Sequence, residues 1–128
     1  MSENSKIVVV DDDKSCLDLT TNMLRRFIRT GSVSSFQSGS SAWEHIKRSH
    51  VDILVSDVEM KDMGGLELLS EVKKAFPRVR CVMISGNPSR KKAAMQLGAD
   101  AFLQKPFGAR ELIEAVGIGS FEDLEAAF

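Results

Sequence analysis

The stretch VDILVSDVEMKDMGG, residues 51–65, decides how the rest of the chain is read. Val51, Ile53, Leu54 and Val55 make a nearly unbroken apolar run, which fits a strand covered on both faces better than one with a wet side. The run closes on Asp57 and passes into a polar loop rich in Met and Gly. An acid that ends a buried strand stands at the rim of a sheet, where a carboxylate can meet ligands. The question for every other segment is what it brings to Asp57.

Upstream, residues 6–10 form a β-branched run that leads directly into Asp11, Asp12 and Asp13. Leu17, Thr20, Leu24 and Phe27 then recur at helical spacing, predicting a helix over 14–29 with Asp13 as its N-cap and Arg25, Arg26 and Arg29 in its last turns. Gly31 punctuates, and 33–36 predict a short second strand. Ser41-Ala-Trp-Glu44 has the S-x-x-E form of a capping box, and Trp43 and Ile46 extend it into a short helix to about 49. Downstream of the opening stretch, Leu66, Leu68, Leu69, Val72 and Phe76 mark a third helix that Pro77 ends. Residues 80–84 are a fourth strand, Ser85-Gly-Asn-Pro88 is turn chemistry, and 89–97 are a helix closed by Gly98. A fifth strand over 101–104 leads into Lys105-Pro-Phe107, and a last helix over 109–116 stops at Gly117.

Strands alternating with helices predict an α/β fold with a parallel sheet, because each parallel pair needs a crossover. The expected arrangement is a flavodoxin-like, doubly wound five-stranded parallel sheet, order 2-1-3-4-5, flanked by five helices. The first and third strands are then neighbours at the switch point, where a crevice opens beyond the carboxyl ends of the strands. Asp11, Asp12 and Asp57 all fall there. One domain is expected over 1–116. The tail, 117–128, is expected to be a short helix or the start of a linker, with Phe121, Leu124 and Phe128 on one side.

Bulk properties narrow the function classes. A chain of 128 residues with 43% apolar residues buries a real core but has no room for a second catalytic or DNA-binding domain. The formal net charge of -1 exerts no general pull on nucleic acid or an anionic membrane, so neither is expected as a direct partner. The polar start and strand-length apolar runs suggest no signal peptide and no membrane span, and a cytoplasmic location is expected. Cys16 and Cys81 lack metal-ligand spacing and are read as core thiols. His45 and His50 are read as isolated, exposed and without chemistry.

Three carboxylates facing one another across about 4 Å repel by roughly 4 kcal/mol per pair at an effective dielectric near 20. A bound divalent cation resolves this, and hard oxygen ligands favour Mg²⁺, with Mn²⁺ as the alternative. The fourth strand delivers Ser85, a hydroxyl donor, and the fifth delivers Lys105, a point positive charge. Metal, hydroxyl and ammonium around one carboxylate are what a phosphoryl group on Asp57 requires.

The segments IVVVDDD, DILVSDVEMKDMGGLEL, CVMISGN and ADAFLQKPF, in that order and at that spacing, resemble the receiver domains of response regulators in two-component phosphorelay signalling, over about residues 6–116. The resemblance implies a phosphoacceptor switch rather than an enzyme, one that catalyses only its own phosphorylation and slow self-dephosphorylation. It implies that Asp57 accepts a phosphoryl group from a phosphohistidine. Asp12, Asp57 and the backbone carbonyl of Glu59 would ligate Mg²⁺, and Asp11 would act through a metal-bound water. Ser85 and Lys105 would hold phosphoryl oxygens, and Phe102 would turn inward as Ser85 moves. Glu59 and Asn87 would tune self-dephosphorylation. The implied partners are a sensor histidine kinase or histidine phosphotransfer protein docking on the first helix, an output protein or domain of unknown identity, and a second copy on phosphorylation.

The chain departs from the family at Lys61, which stands where Pro usually follows Met; a looser, more electropositive loop is expected. Ser85 replaces the commoner Thr, and Gly86 a small residue such as Ala. Two other functions compete. Asp11-x-Asp13-x-Ser15 formally matches the first motif of haloacid dehalogenase-type phosphatases, with Asp11 as nucleophile, but a further acidic pair should follow Lys105, and the acids nearest after it, Glu111 and Glu114, fall within a helix. The other is a receiver-like module that binds a partner without phosphorylation. Bland roles are expected for Asp13 as a helix cap, Asp62 as a solvated loop residue and Arg90-Lys-Lys92 as a solvated face.

Overall fold

The computed structural model describes residues 5–28 and 31–119. Five strands, β1 (Lys6–Val10), β2 (Ser32–Phe36), β3 (Ile53–Asp57), β4 (Arg80–Ser85) and β5 (Ala101–Gln104), pair in parallel in the order β2-β1-β3-β4-β5. The helices are α1 (Lys14–Phe27), α2 (Gly39–Arg48), α3 (Gly65–Ala75), α4 (Lys91–Gln96) and α5 (Ala109–Val116). This is the doubly wound order expected, and β1 and β3 lie side by side with Ile7 opposite Ile53 and Val10 opposite Ser56.

The unbroken apolar runs have a simple cause. Successive strand residues point to opposite faces, and both faces are covered. Val8, Val10, Leu54 and Met83 join Ala42, Leu68, Leu69 and Val72 in a core under α2 and α3. Ile7, Val9, Ile53 and Val55 join Leu17, Leu24, Leu112 and Ile113 in a second core under α1 and α5. Burying a side chain of this size stabilises the fold by about 1.5–3 kcal/mol.

Several boundaries follow from polar contacts that periodicity does not show. Asp13 caps α1 as expected, accepting from the Cys16 N–H at 3.2 Å. The capping box at Ser41 does not form. α2 starts earlier, with Ser38 as N-cap and its hydroxyl accepting from the Ser41 N–H at 3.2 Å, while Glu44 pairs with Lys47 instead. Residues 88–90 wind as a 3-10 turn before α4, with Asn87 Oδ1 accepting from the Ser89 N–H at 3.0 Å. Pro88 has no N–H to need a partner at that start. Arg25 reaches from the end of α1 to the Val33 carbonyl at 2.8 Å; Arg29 and the expected extra helical turn over 120–128 lie outside the described residues.

Two glycines are demanded by close approach. A Cβ on Gly65 would run into the backbone of Asp57 and Val58, and one on Gly39 into Met63. The loop after Asp57 is therefore pressed between β3 and the start of α2. Among the described residues no helix is long and apolar enough to cross a membrane.

Candidate functional site

The parallel register brings every strand's carboxyl end to the same edge, and the chemistry collects there. Asp11 follows β1, Asp57 ends β3, Ser85 ends β4 and Lys105 follows β5. Asp11 and Asp57 are each 6% exposed, and Ser85 is fully buried. One ligand oxygen from each of Asp11, Asp12 and Asp57 lies within 4.8 Å of the others. The sheet has thus joined three acids that the sequence separates by 46 positions.

Lys105 bridges this cluster. Its Nζ stands 3.0 Å from Asp57 Oδ1 and 3.2 Å from Asp11 Oδ2. The Lys105 N–H donates to the Ser85 carbonyl at 2.9 Å, which fixes where the side chain starts, and the Lys105–Pro106 bond is cis. The contact with Asp57 is an ion pair off the axis of a hydrogen bond, and among the described residues the buried Oδ1 has no aligned donor. Burial pushes the Asp57 carboxyl up to about 6; Lys105 opposes this, while the charges of Asp11 and Glu59 add to it. Burial alone would lower Lys105, but Asp57 and Asp11 together raise it.

Three carboxylates against one ammonium leave two negative charges uncompensated at the centre. The ligand atoms are all hard oxygens, and among the described residues Asp57 Oδ1 meets the Lys105 ammonium but no aligned hydrogen-bond donor. That set fits a divalent cation with an oxygen shell. The other carboxylate oxygens are already positioned. Asp11 Oδ1 accepts from the Asp13 N–H at 2.9 Å, and Asp12 Oδ2 from the Lys61 N–H at 3.1 Å.

Lys61 was expected to loosen its loop. Its backbone instead ties that loop to Asp12, and a proline there would have no N–H to donate. Asp62, expected to be merely solvated, accepts from Ser38 Oγ at 2.6 Å and the Ser40 N–H at 3.4 Å, joining the same loop to the start of α2. These contacts hold its carboxyl well below the usual range. Glu59 also has a larger part than its backbone alone would give it. Its Oε1 accepts from Ser85 Oγ at 2.8 Å and its Oε2 lies 3.3 Å from Arg90 Nε. Arg90 is therefore paired, while Lys91 and Lys92 face solvent. A groove of about 590 Å³ beside the acids is lined by Asp12, Glu59, Met60, Lys61, Leu66 and Arg90.

The remaining candidates divide. Asn87 is beside Ser85, and its N–H donates to Ser85 Oγ at 3.0 Å, but its side-chain oxygen caps the following turn. Phe102 is half-buried against the α2/α3 core. A methyl on Gly86 would meet nothing within 4 Å. Cys81 is a core thiol pushed up to about 12 by burial, whereas Cys16 is only half-buried, in the first turn of α1. The histidines are not isolated: His45 is half-buried with its ring 5.1 Å from that of Phe36, and His50 Nε2 is 2.8 Å from Asp52 Oδ1. Among the described residues the phosphatase pattern does not assemble either, since Asp13 is turned to its helix cap and Glu111 bonds the Gly108 N–H at 3.3 Å.

Similarity to known proteins agrees with this geometry. The model of the response regulator receiver domain matches residues 7–117. The regulatory protein VanRc of Enterococcus gallinarum is 38% identical over 118 residues, covering 91% of this chain and 49% of that protein. The DNA-binding transcriptional regulator NtrC of Azospirillum brasilense is 31% identical over 112 residues, covering 86% of this chain and 23% of that protein. The chain thus spans half or less of the length of these relatives. A CheY-like receiver domain structure from Methanospirillum hungatei JF-1 superposes with a TM-score of 0.80 at 27% identity, covering 95% of this chain and 94% of that one.

Proposed function

The chain belongs to the response-regulator receiver domain family, and from that membership we propose that it is a phosphoacceptor switch, with Asp57 taking a phosphoryl group from a phosphohistidine donor. The observation that carries this reading is the set of Asp11, Asp12 and Asp57 oxygens within 4.8 Å of one another, with Lys105 Nζ 3.0 Å from Asp57.

In the step proposed, an Asp57 carboxylate oxygen bonds to phosphorus as the donor's P–N bond breaks, and the imidazole leaves with the bonding pair. Lys105 faces the developing charge from between Asp11 and Asp57. Asp12, Asp57 and the Glu59 carbonyl would hold Mg²⁺ or Mn²⁺, with Asp11 reached through water. A bound ion supplies charge neutralisation at the phosphoryl oxygens. Ser85 would donate its hydroxyl to a phosphoryl oxygen, and Phe102 would follow it inward. Return to the free carboxylate needs water to attack phosphorus and break the bond to Asp57. Glu59 and Asn87 flank that path, and a bulky replacement of Asn87 is expected to change phosphoryl lifetime more than acceptance.

Receiver domains of response regulators act with histidine kinases and output domains. For this chain the proposed donor is a sensor histidine kinase or a histidine phosphotransfer protein docking on α1, in the cytoplasm. The proposed output is a separate protein or domain, with pairing of two copies on phosphorylation. The receiver is assigned to 1–116 and the tail to 117–128. The relative named as DNA-binding is mostly sequence that this chain does not match, so DNA contact is assigned to such additional sequence and not to the receiver.

Incubation with Mg²⁺ and a small phosphoramidate, followed by mass-spectrometric mapping of a hydroxylamine-labile phosphate, tests the reading. Label on Asp57 is expected. Label on Asp11 with steady turnover would assign a phosphatase, and no label a module that works without phosphorylation.

A further inference from the structure

Glu59 is at the mouth of the site with its side chain 47% exposed, yet its two carboxylate oxygens serve different elements. Oε1 accepts from Ser85 Oγ at 2.8 Å, and Oε2 faces Arg90 Nε at 3.3 Å. A serine hydroxyl has one proton to donate, and here it is directed at Glu59. The Ser85 oxygen itself accepts from the Asn87 N–H at 3.0 Å. Ser85 is fully buried, so water has no access to take over either role. In this arrangement Ser85 has no proton left for a group on Asp57.

We propose that the Glu59 side chain is a latch: it withholds the Ser85 hydroxyl from Asp57 and, through Arg90, holds the turn that opens α4 against the loop after β3, until a phosphoryl-sized anion on Asp57 takes the hydroxyl. The proposal rests on the receiver reading above and adds to it a positioning residue that opposes the switched state. The exposed Glu59–Arg90 pair contributes little by itself, since ion pairs in water are weak and screened. The buried Ser85 hydroxyl is therefore the stronger of the two contacts. Two anions compete for one O–H, and the incoming one carries about -1.5 to -2 charges against one on Glu59. Once Ser85 turns away, Glu59 loses its only partner at β4 and is repelled by the new anion. Its hold on Arg90 then loosens, which carries the change to α4.

The test is a double-mutant cycle on the full chain, with Mg²⁺ and beryllium fluoride as a non-covalent stand-in for the phosphoryl group. Binding is read from the ¹H–¹⁵N spectrum. Glu59→Ala is expected to bind the probe about tenfold more tightly, the low end of what a hydrogen bond to a charged group is worth. In a Ser85→Ala background, the same change is expected to gain severalfold less, because only the removal of a charge remains once the coupling is gone. An equal gain in both backgrounds overturns the latch, since it would show only the loss of a nearby negative charge. Unchanged or weaker binding by Glu59→Ala overturns it as well.

A second measurement needs neither metal nor probe. Glu59→Ala is expected to shift the Asn87 amide and Arg90 Nε–H resonances, and Glu59→Gln to restore the former but not the latter. Unmoved resonances overturn the contact. Wild-type protein that fails to bind the probe at all refutes the receiver reading itself, an outcome distinct from a normal wild type whose Glu59 variants do not change.

Discussion

Aspartates stand at both ends of this sheet, and the two ends treat them in opposite ways. At the amino edge, Asp52 Oδ2 accepts from the Lys6 N–H at 2.8 Å, and Asp100 Oδ2 from the Cys81 N–H and Lys73 Nζ, both at 2.8 Å. Burial raises both carboxyls, but these donors reverse it and hold both below the usual value. At the carboxyl edge Asp57 faces other acids, has no aligned donor on Oδ1 among the described residues, and is pushed up to about 6. The amino edge uses aspartate to satisfy N–H groups near the starts of parallel strands, Lys6 in β1 and Cys81 in β4. The other edge leaves aspartate wanting a cation. Asp52 and Asp100 are structural because a backbone N–H reaches each, whereas among the described residues none reaches Asp57 Oδ1.

The largest effect should come from removing the unsatisfied acid. Asp57→Asn is expected to abolish labelling by phosphoramidate, and label elsewhere at full stoichiometry would sink the assignment. The pH dependence has a definite sign. The folded value of about 6 exceeds the unfolded 3.8, so this group makes the metal-free protein more stable as pH falls through that window. Asp57→Asn should flatten that rise and gain on the order of 2–3 kcal/mol at pH 7 in urea unfolding with EDTA. A destabilised variant would break the comparison. At the other end the sign inverts. Asp52 and Asp100 stabilise above the unfolded carboxylate value, and their contribution is lost as pH falls through their lower folded values.

Next in size is Asp100→Ala, expected to cost about 2 kcal/mol by leaving the buried Cys81 N–H without its acceptor and Lys73 Nζ with the Val79 carbonyl but no counter-charge from Asp100. Labelling of Asp57 should be unaffected; a loss of both would show that the two ends are not separable. Mg²⁺ at tenfold excess over its dissociation constant should then stabilise the wild type by about 1.4 kcal/mol and leave Asp57→Asn unmoved. A shift of equal size in both would place the ion elsewhere. The smallest effect is expected from Lys61→Pro, about 1 kcal/mol for the lost N–H to Asp12. Lys61→Ala keeps that N–H and should behave as wild type, so equal losses would assign the effect to the side chain.

The fold and the acid cluster were legible because they depend on local pattern. An apolar run that stops on an acid reports its own position in a parallel sheet, which is why Asp11, Asp12 and Asp57 could be assembled from spacing. The amino-edge role of Asp100 was not, because it depends on Lys73, 27 positions away, meeting it beneath β4. A signal did exist: an aspartate stands one residue before both β3 and β5. Lys61 was misjudged for a different reason. Against proline, a lysine differs in side chain and in mobility, but the difference that matters here is the N–H that proline lacks. The start of α2 was misplaced since both Ser38 and Ser41 can cap, and only the contact of Ser38 with Asp62 distinguishes them.

The two glycines wedged behind the loop carry a consequence for how this chain tolerates change. Gly65 abuts the backbone of Asp57 and Gly39 abuts Met63, so neither position has space for even a methyl group without moving the chain. Neither contributes a side chain to the proposed chemistry. In a saturation library scored for signalling, both should nevertheless be as intolerant as the acids themselves, and a map of intolerance alone would enrol them among the chemical residues. Refolding yield would separate the two classes: failures at Gly39 and Gly65 would be of shape, and those at Asp57 of chemistry in a chain that still folds.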